Sequence, residues 1–330
     1  MKKDKVASTD LVLKNLNIGI DECSDEVKRF LLIYYIREVE MKIAAEYPSG
    51  LMRTPVHLCI GQESIPVGIS EHLFSDDKVL SNHRSHGHYL AKGGSLFSLF
   101  AELLGKQAGC AKGRGGSQHL IDLSINFIAS APILGGTVPI AAGVAFSHKL
   151  QNLDGIIVSY LGDAVLEEGI LFETLSFAAL QSLPILFVVE NNRLSVHTHI
   201  NKRQPERELK KIGPAFGLMA GEFDGNDIVG VSSAGKSYVN YVREVKKPAI
   251  IFFETFRRLE HVGPEEDFNL GYRDPSEVKL WLAKDPLEIA LQNIVSAKNQ
   301  LKSINQLKSQ IDYYIENTWK LALQAEMAQS

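Results

Sequence analysis

The sequence predicts an α/β fold in which a parallel sheet carries helices on both faces. Ile156 to Leu161 and Ile185 to Val189 are short apolar runs rich in β-branched residues, the pattern of buried strands. Between them, Leu166 to Ser182 places Leu166, Ile170, Phe172, Leu175, Ala178 and Ala179 at helical spacing, and Pro184 resets the chain. A further apolar run, Ala249 to Phe253, follows Pro248 and reads as another strand of the same kind.

The remaining elements follow in order. Residues 1–25 read as a polar extension; its charged start has no apolar segment behind it and is not a signal peptide. From Ser24, a suitable N-cap, Val27, Phe30, Leu31, Tyr34, Tyr35, Val39 and Ile43 mark a long helix, which Tyr47-Pro48-Ser49-Gly50 ends. A helix rich in Ala and Gly is expected over Val138 to Lys149. Gly213 to Gly217 reads as a short helix or turn, Leu218 to Phe223 as a strand, and Asp224 to Asp227 as a turn and helix cap. Helices near 275–283, 285–297 and 300–326 close the chain, and Asp285-Pro286 suits a helix start. No repeat, low-complexity tract or Pro/Gly linker divides it. The expectation is one domain over 26–330, with a helical C-terminal tail from about 275.

Composition narrows the function classes. The 330 residues carry 35 Lys and Arg against 39 Asp and Glu, a net charge of −4, so no basic bias points to nucleic acid. No apolar run reaches membrane-spanning length. Cys23, Cys59 and Cys110 have neither metal spacing nor the number for a disulfide framework, and a reducing cytoplasm is the default expectation. Gly230 to Ser237 matches the phosphate-loop pattern letter for letter. Such a loop needs a strand directly before it, and only Ile228 and Val229 are left for one. Ile228, Val231, Ala234, Tyr238, Val242 and Val245 keep helical spacing through the stretch, so one helix from about Asp227 to Lys246 is expected instead.

The chemistry is expected at the carboxyl ends of the first two strands, where open α/β sheets bind ligands. Asp163 ends one strand and Asn192 follows the other, 29 residues on. Asp163 offers a carboxylate, Asn192 an amide oxygen and Leu194 a backbone carbonyl, hard oxygens of the kind magnesium takes alongside phosphate. Gly162 allows close backbone approach, and the amides of Ala164 and Val165 at a helix start would favour a diphosphate. Gly162-Asp163-Ala164 followed by Asn191-Asn192 resembles the thiamine-diphosphate signature. Ala164 replaces the second glycine of that pattern, a change that is tolerable if its φ is negative. Glu167 and Glu168 read as helix first-turn acids placed by the dipole rather than as an acid–base pair.

Three further segments precede the signature: Thr54 to Glu63, Ser81 to Tyr89, and Gly109 to His119. In this order they resemble the alpha subunit of the decarboxylating component of 2-oxo-acid dehydrogenase complexes, of the pyruvate or acetoin type, over about residues 25–290. The resemblance implies a thiamine-diphosphate-binding fold with thiamine diphosphate and Mg2+ as cofactors. It places His57 at the substrate end, Arg84 at the diphosphate, and Pro132 and Leu134 at the aminopyrimidine. His261 takes the place of a histidine near the diphosphate and the reacting centre, so His57 and His261 are the candidates for proton handling. The family usually has Tyr where this chain has His83. Val262 stands where eukaryotic pyruvate members carry a regulatory serine. Gly113 to Ser117 becomes a structural turn, and the polar stretch after Asn192 a cofactor-binding loop. The family also implies a beta subunit that completes the site in an α2β2 heterotetramer, and transfer of the acyl unit to a lipoylated acyltransferase.

Other readings stay open on the sequence. A carboligase would share every cofactor residue. Ala164 and His83 leave room for a non-catalytic paralogue, and the Gly230 stretch for a P-loop enzyme. His83, His86 and His88 also invite a structural transition metal, although their spacing matches no closed zinc set.

Overall fold

A computed structural model of the chain describes residues 7–16, 23–294 and 301–328. Its centre is a six-stranded sheet: β1 (Lys78–Ser81), β2 (Phe127–Ser130), β3 (Ile157–Gly162), β4 (Ile185–Asn191), β7 (Met219–Asp224) and β8 (Ala249–Glu254). A separate antiparallel pair, β5 (Leu194–Ser195) and β6 (Thr198–His199), forms a small hairpin after β4. The sheet order is β2-β1-β3-β4-β8-β7, with every neighbouring pair parallel. From β1 the chain steps to one side for β2 and to the other for β3. The switch point of the sheet therefore lies at the carboxyl end of β1.

The helices are α1 (Ser8–Asn15), α2 (Asp25–Glu46), α3 (Ser64–Ser70), α4 (His86–Ala91), α5 (Leu96–Leu103), α6 (Thr137–Leu150), α7 (Gly169–Leu180), α8 (Ile212–Ala215), α9 (Ile228–Val245), α10 (Pro275–Leu282), α11 (Pro286–Ile294) and α12 (Leu301–Gln324). Strand alternation decides which of them sits on which face. Val158, Tyr160, Leu186, Val188, Ile251 and Phe253 point into a large core shared with α2, α3, α9 and α12. Their neighbours Ile157, Leu161, Ile185, Phe187, Ile250 and Phe252 point the other way, into a second core under α6, α7 and α8. Burial on both faces is why these strands read as continuous apolar runs rather than alternating ones.

The expected long helix is present, with the Ser24 side chain accepting from the Val27 amide and Gly50 in left-handed conformation beyond its end. The helix over the Gly230 stretch is also as expected. Asp227 caps α9, which runs through Gly230 to Ser237 without a loop. Gly235 has a packing reason to be glycine, since a Cβ there would lie 2.8 Å from the Gly68 carbonyl of α3.

The 1–25 extension needs correction. Within it α1 is a helix whose Val12 and Leu13 are buried in the larger core, while residues 1–6 and 17–22 lie outside the described residues. The C-terminal helices pack rather than trail. Ile304, Leu307, Ile311, Ile315 and Trp319 of α12 are buried, and Trp319 meets Phe100 of α5 edge to face. The expected end of the 285–297 helix and the start of the last one fall partly outside the described residues. Among the described residues, no helix is long and apolar enough to cross a membrane.

Candidate active site

The carboxyl ends of β1, β2, β3, β4 and β8 converge on one cavity of about 250 Å³. Its lining includes His57, Arg84, Pro132, Leu134, Gly162, Asp163, Ala164, Asn192, Leu194 and His261, all expected from the sequence. Val165 is the exception: it is 3% exposed, does not line the cavity, and packs into the core beneath α6 and α7. Gln62, Asn82, His83, Glu190, Ser195 and Val196 complete the wall. Sequence reasoning missed Gln62, Asn82 and Glu190 as wall residues. Only Glu190 had a usable signal, an acid ending an apolar strand immediately before Asn191-Asn192.

The chain after β3 does not enter an α-helix directly. Asp163 to Glu167 form a 3-10 turn, Glu168 is extended, and α7 starts at Gly169. The expected helix start at Leu166 is thus displaced, and Glu167 and Glu168 are not first-turn acids of α7. Ala164 sits inside the 3-10 turn and is not among the positive-φ residues, so the missing glycine costs no backbone strain.

Asp163 is 2% exposed, and its carboxylate is ion-paired with Arg203 from the loop beyond β6. Arg203 also pairs with Glu167, whose Oε1 accepts from the Gln204 side chain at 2.8 Å. Burial raises the Asp163 pKa above its ordinary value, and the Arg203 guanidinium only partly offsets that. The carboxylate at the strand end therefore demands a cation, which Arg203 supplies here. On the neighbouring strand end, Asn192 Oδ1 accepts from the Leu194 amide at 3.1 Å, and its Nδ2 donates to Gln62 Oε1 at 3.3 Å.

The same cavity carries positive charge. Arg84 is 4% exposed and donates to the Leu58 carbonyl at 2.5 Å. Burial, with Arg257 nearby, depresses its pKa to about 9. Arg257 is better satisfied: it donates to Asp267 at 2.9 Å, to the Leu259 carbonyl at 2.9 Å and to the Val196 carbonyl at 3.2 Å. It thereby ties the β5–β6 hairpin to the segment after β8.

Three histidines from distant segments meet in the same cavity. The rings of His57 and His83 lie 4.7 Å apart, those of His57 and His261 4.9 Å, and those of His83 and His261 5.2 Å. Burial and the nearby Arg84 hold His57 and His261 at about 3 and push His83 well below its ordinary value, so all three are neutral at neutral pH. His83, His86 and His88, whose spacing fits no closed zinc set, do not gather into one cluster. His86 turns away to Glu40 and Ser117, each at 2.8 Å, and His88 to Ser81 at 2.8 Å and Glu190 at 3.1 Å.

Gly113 to Ser117 is a structural turn, as expected. The carboxylate of Glu102 accepts from the amides of Ala111 and Gly113 at 2.8 Å, Gly115 at 2.6 Å and Gly116 at 3.1 Å.

Comparison with known proteins agrees with this geometry. The profile of the family described as "Dehydrogenase E1 component" matches residues 33–330. The chain is 34% identical to the pyruvate dehydrogenase E1 component subunit alpha-3, chloroplastic, of Arabidopsis thaliana over 87% of this chain and 68% of that one. It is 32% identical to the pyruvate dehydrogenase E1 component subunit alpha of Rickettsia felis, over 86% of this chain and 88% of that one. With the Porphyra purpurea subunit of the same name it shares 31% over 94% of both chains. The chain belongs to the dehydrogenase E1 component family, and its parallel sheet with a cavity at the strand ends is the thiamine-diphosphate-binding fold of that family's alpha subunits.

Proposed function

We infer that this chain is the alpha subunit of a thiamine-diphosphate-dependent 2-oxo-acid dehydrogenase, and that its cavity holds the diphosphate end of the cofactor with a magnesium ion. The observation that carries the reading is the pairing of opposite needs within one cavity. Asp163 and Asn192 end adjacent strands and present hard oxygens that suit a magnesium ion. Arg84 brings a buried cation into the same space, with a planar guanidinium that suits phosphate oxygens. A diphosphate with its metal satisfies both needs. Leu194 would add its carbonyl, and Gly162 and Ala164 would border the diphosphate.

The bound cofactor supplies the electron sink for decarboxylation of the 2-oxo acid. The chain's residues position it and handle protons. Pro132 and Leu134 line the side assigned to the aminopyrimidine ring. His57 and His261 are neutral imidazoles, able to accept or donate a hydrogen bond at the reacting centre. The Gln118 side chain, 2.9 Å from His57 Nδ1, fixes one ring, and Arg257, 3.4 Å from His261 Nδ1, borders the other. Delivery of the acyl unit to a lipoyl group on an acyltransferase follows from the same family reading.

A beta subunit completes the site, most simply as an α2β2 heterotetramer. An apolar surface supports a partner chain. Ile133, Ile140, Leu150, Phe177 and Leu180, on α6, α7 and the turn before α6, are all exposed on the helical layer that covers one face of the sheet. Co-expression with a homologous beta chain, followed by light scattering and a decarboxylation assay with pyruvate and longer 2-oxo acids, tests the assignment. Activity is expected only from the assembled pair. Full activity from the alpha chain alone would overturn the two-chain site.

A further inference from the structure

We propose that His57, His83 and His261 form a three-imidazole site for one transition-metal dication of the zinc class, distinct from the magnesium ligands Asp163, Asn192 and Leu194. The three residues come from the segment after α2, the segment after β1 and the segment after β8. One ligand atom from each lies within 4.8 Å of the others, and all three rings line the cavity. Tetrahedral zinc holds imidazole nitrogens roughly 3.4 Å apart, given bonds of about 2.0–2.1 Å, so the rings have to close by roughly 1.4 Å at most. The cavity leaves the fourth position open to water.

The surroundings select the class of ion. Arg84 and Arg257 face the cluster and oppose any cation, and Glu190 and Asp163 are carboxylates that line the same cavity. A hard ion held by charge alone, such as magnesium or calcium, gains nothing from three neutral imidazoles beside two guanidiniums. A borderline ion that bonds through nitrogen does. The Gln118 carboxamide nitrogen lies 2.9 Å from His57 Nδ1 and 3.4 Å from Nε2, and holds that ring beside the site. His83 is the departure that makes the set: the residue usual at its position in this family, tyrosine, would leave two imidazoles.

Occupancy would immobilise both histidines assigned to proton handling, so the metal would act as an inhibitor. That consequence rests on the active-site reading above; the binding does not. The test uses full-length chain, alone and assembled with its beta subunit, stripped of metal with a chelator. Calorimetry with Zn2+ and visible absorption with Co2+ are measured for wild type, His83→Tyr and His83→Gln, with circular dichroism checking that each is folded. The expected result is one Co2+ per chain with the intense absorption of a tetrahedral site, displaced by Zn2+. Each variant should lose more than the roughly 10–100-fold in affinity that removal of an outer-shell partner costs. No saturable binding to wild type, a weak octahedral Co2+ spectrum, or equal affinity in a folded His83 variant would overturn the site. Binding as expected with turnover unaffected by Zn2+ would retain the site and remove its inhibitory role.

Discussion

Two regions of this chain are built to receive negative charge, and they solve the problem in opposite ways. In the glycine-rich turn after α5, the amides of Ala111, Gly113, Gly115 and Gly116 converge on a point, as they would around a phosphate. The anion there is Glu102, supplied by the chain itself. In the cavity, Arg84 is buried with the Leu58 carbonyl as its hydrogen-bond acceptor, and burial presses its pKa down to about 9. A buried group whose partner is internal holds the fold together. One left short of an opposite charge marks a place where a ligand belongs. Glycine-rich sequence alone does not separate the two cases; the location of the counter-charge does.

The largest expected effect comes from the cavity. Asp163→Ala should abolish magnesium-dependent binding of thiamine diphosphate by the assembled protein, a loss beyond about 100-fold if an inner ligand matters more than an outer-shell one. Fold stability should change far less, because Arg203 keeps its ion pair with Glu167. Calorimetry and a urea melt on the same preparation separate the two. Cofactor binding equal to wild type would remove Asp163 from the metal site.

Arg37 gives a sharper contrast with Arg84, since it is equally buried but fully paired. It bonds Glu63 through two contacts and Asp285 at 3.2 Å. Burial alone would lower its pKa, yet the two carboxylates raise it. Arg37→Ala should cost about 3–5 kcal/mol by leaving buried carboxylates unpaired, read as a shifted urea midpoint. The same network sets an acid limit. Burial raises the Asp285 pKa, but Arg37, the Leu287 amide and Arg258 outweigh it and hold the group below its ordinary value. Its contribution to stability is therefore present above an unfolded pKa of about 3.9 and lost as pH falls through the lower folded value. Asp285→Asn should flatten that acid limb; an unchanged limb would mean other carboxylates govern it.

For the glycine turn, Glu102→Gln keeps one carbonyl oxygen and loses the charge. A cost of about 1–3 kcal/mol is expected from amides left short of an acceptor, with cofactor affinity unchanged. A selective loss of cofactor binding instead would make the turn part of the site.

Much of the fold was legible because its signals are local. Ser24 and Asp227 cap the helices they were expected to cap, and the runs ending at Leu161, Val189 and Phe253 are central strands. The edge strand β7 was read as Leu218 to Phe223, but the other end of the sheet, β2 and its neighbour β1, was not legible. β1 and β2 are four residues each, too short for a period, and owe their form to pairing with each other and with β3. At the site, Asp163 and Asn192 stood out because they end strong strands. The meeting of His57, His83 and His261 did not, because topology alone brings together residues separated by more than two elements. His83, His86 and His88 looked like the cluster, but the last two sit on α4 and turn into the core. Arg203 was equally invisible: nothing local says that a loop arginine will find Asp163.

The smallest expected effect concerns a second glycine-bearing stretch, Gly230 to Ser237. It has the letters of a phosphate loop, including Lys236. In the fold those residues are turns of α9, whose interior amides are bonded within the helix and unavailable to an anion. Lys236 is exposed on the outer face, and Gly235 is present because α3 passes close behind it. Lys236→Ala should leave stability within about 0.5 kcal/mol of wild type, and turnover and nucleotide binding unchanged. Equilibrium dialysis with ATP and magnesium is the decisive measurement. Saturable binding that disappears in the variant would require α9 to open into a loop, and would break the rule that internal backbone pairing, not composition, decides which glycine stretch binds phosphate.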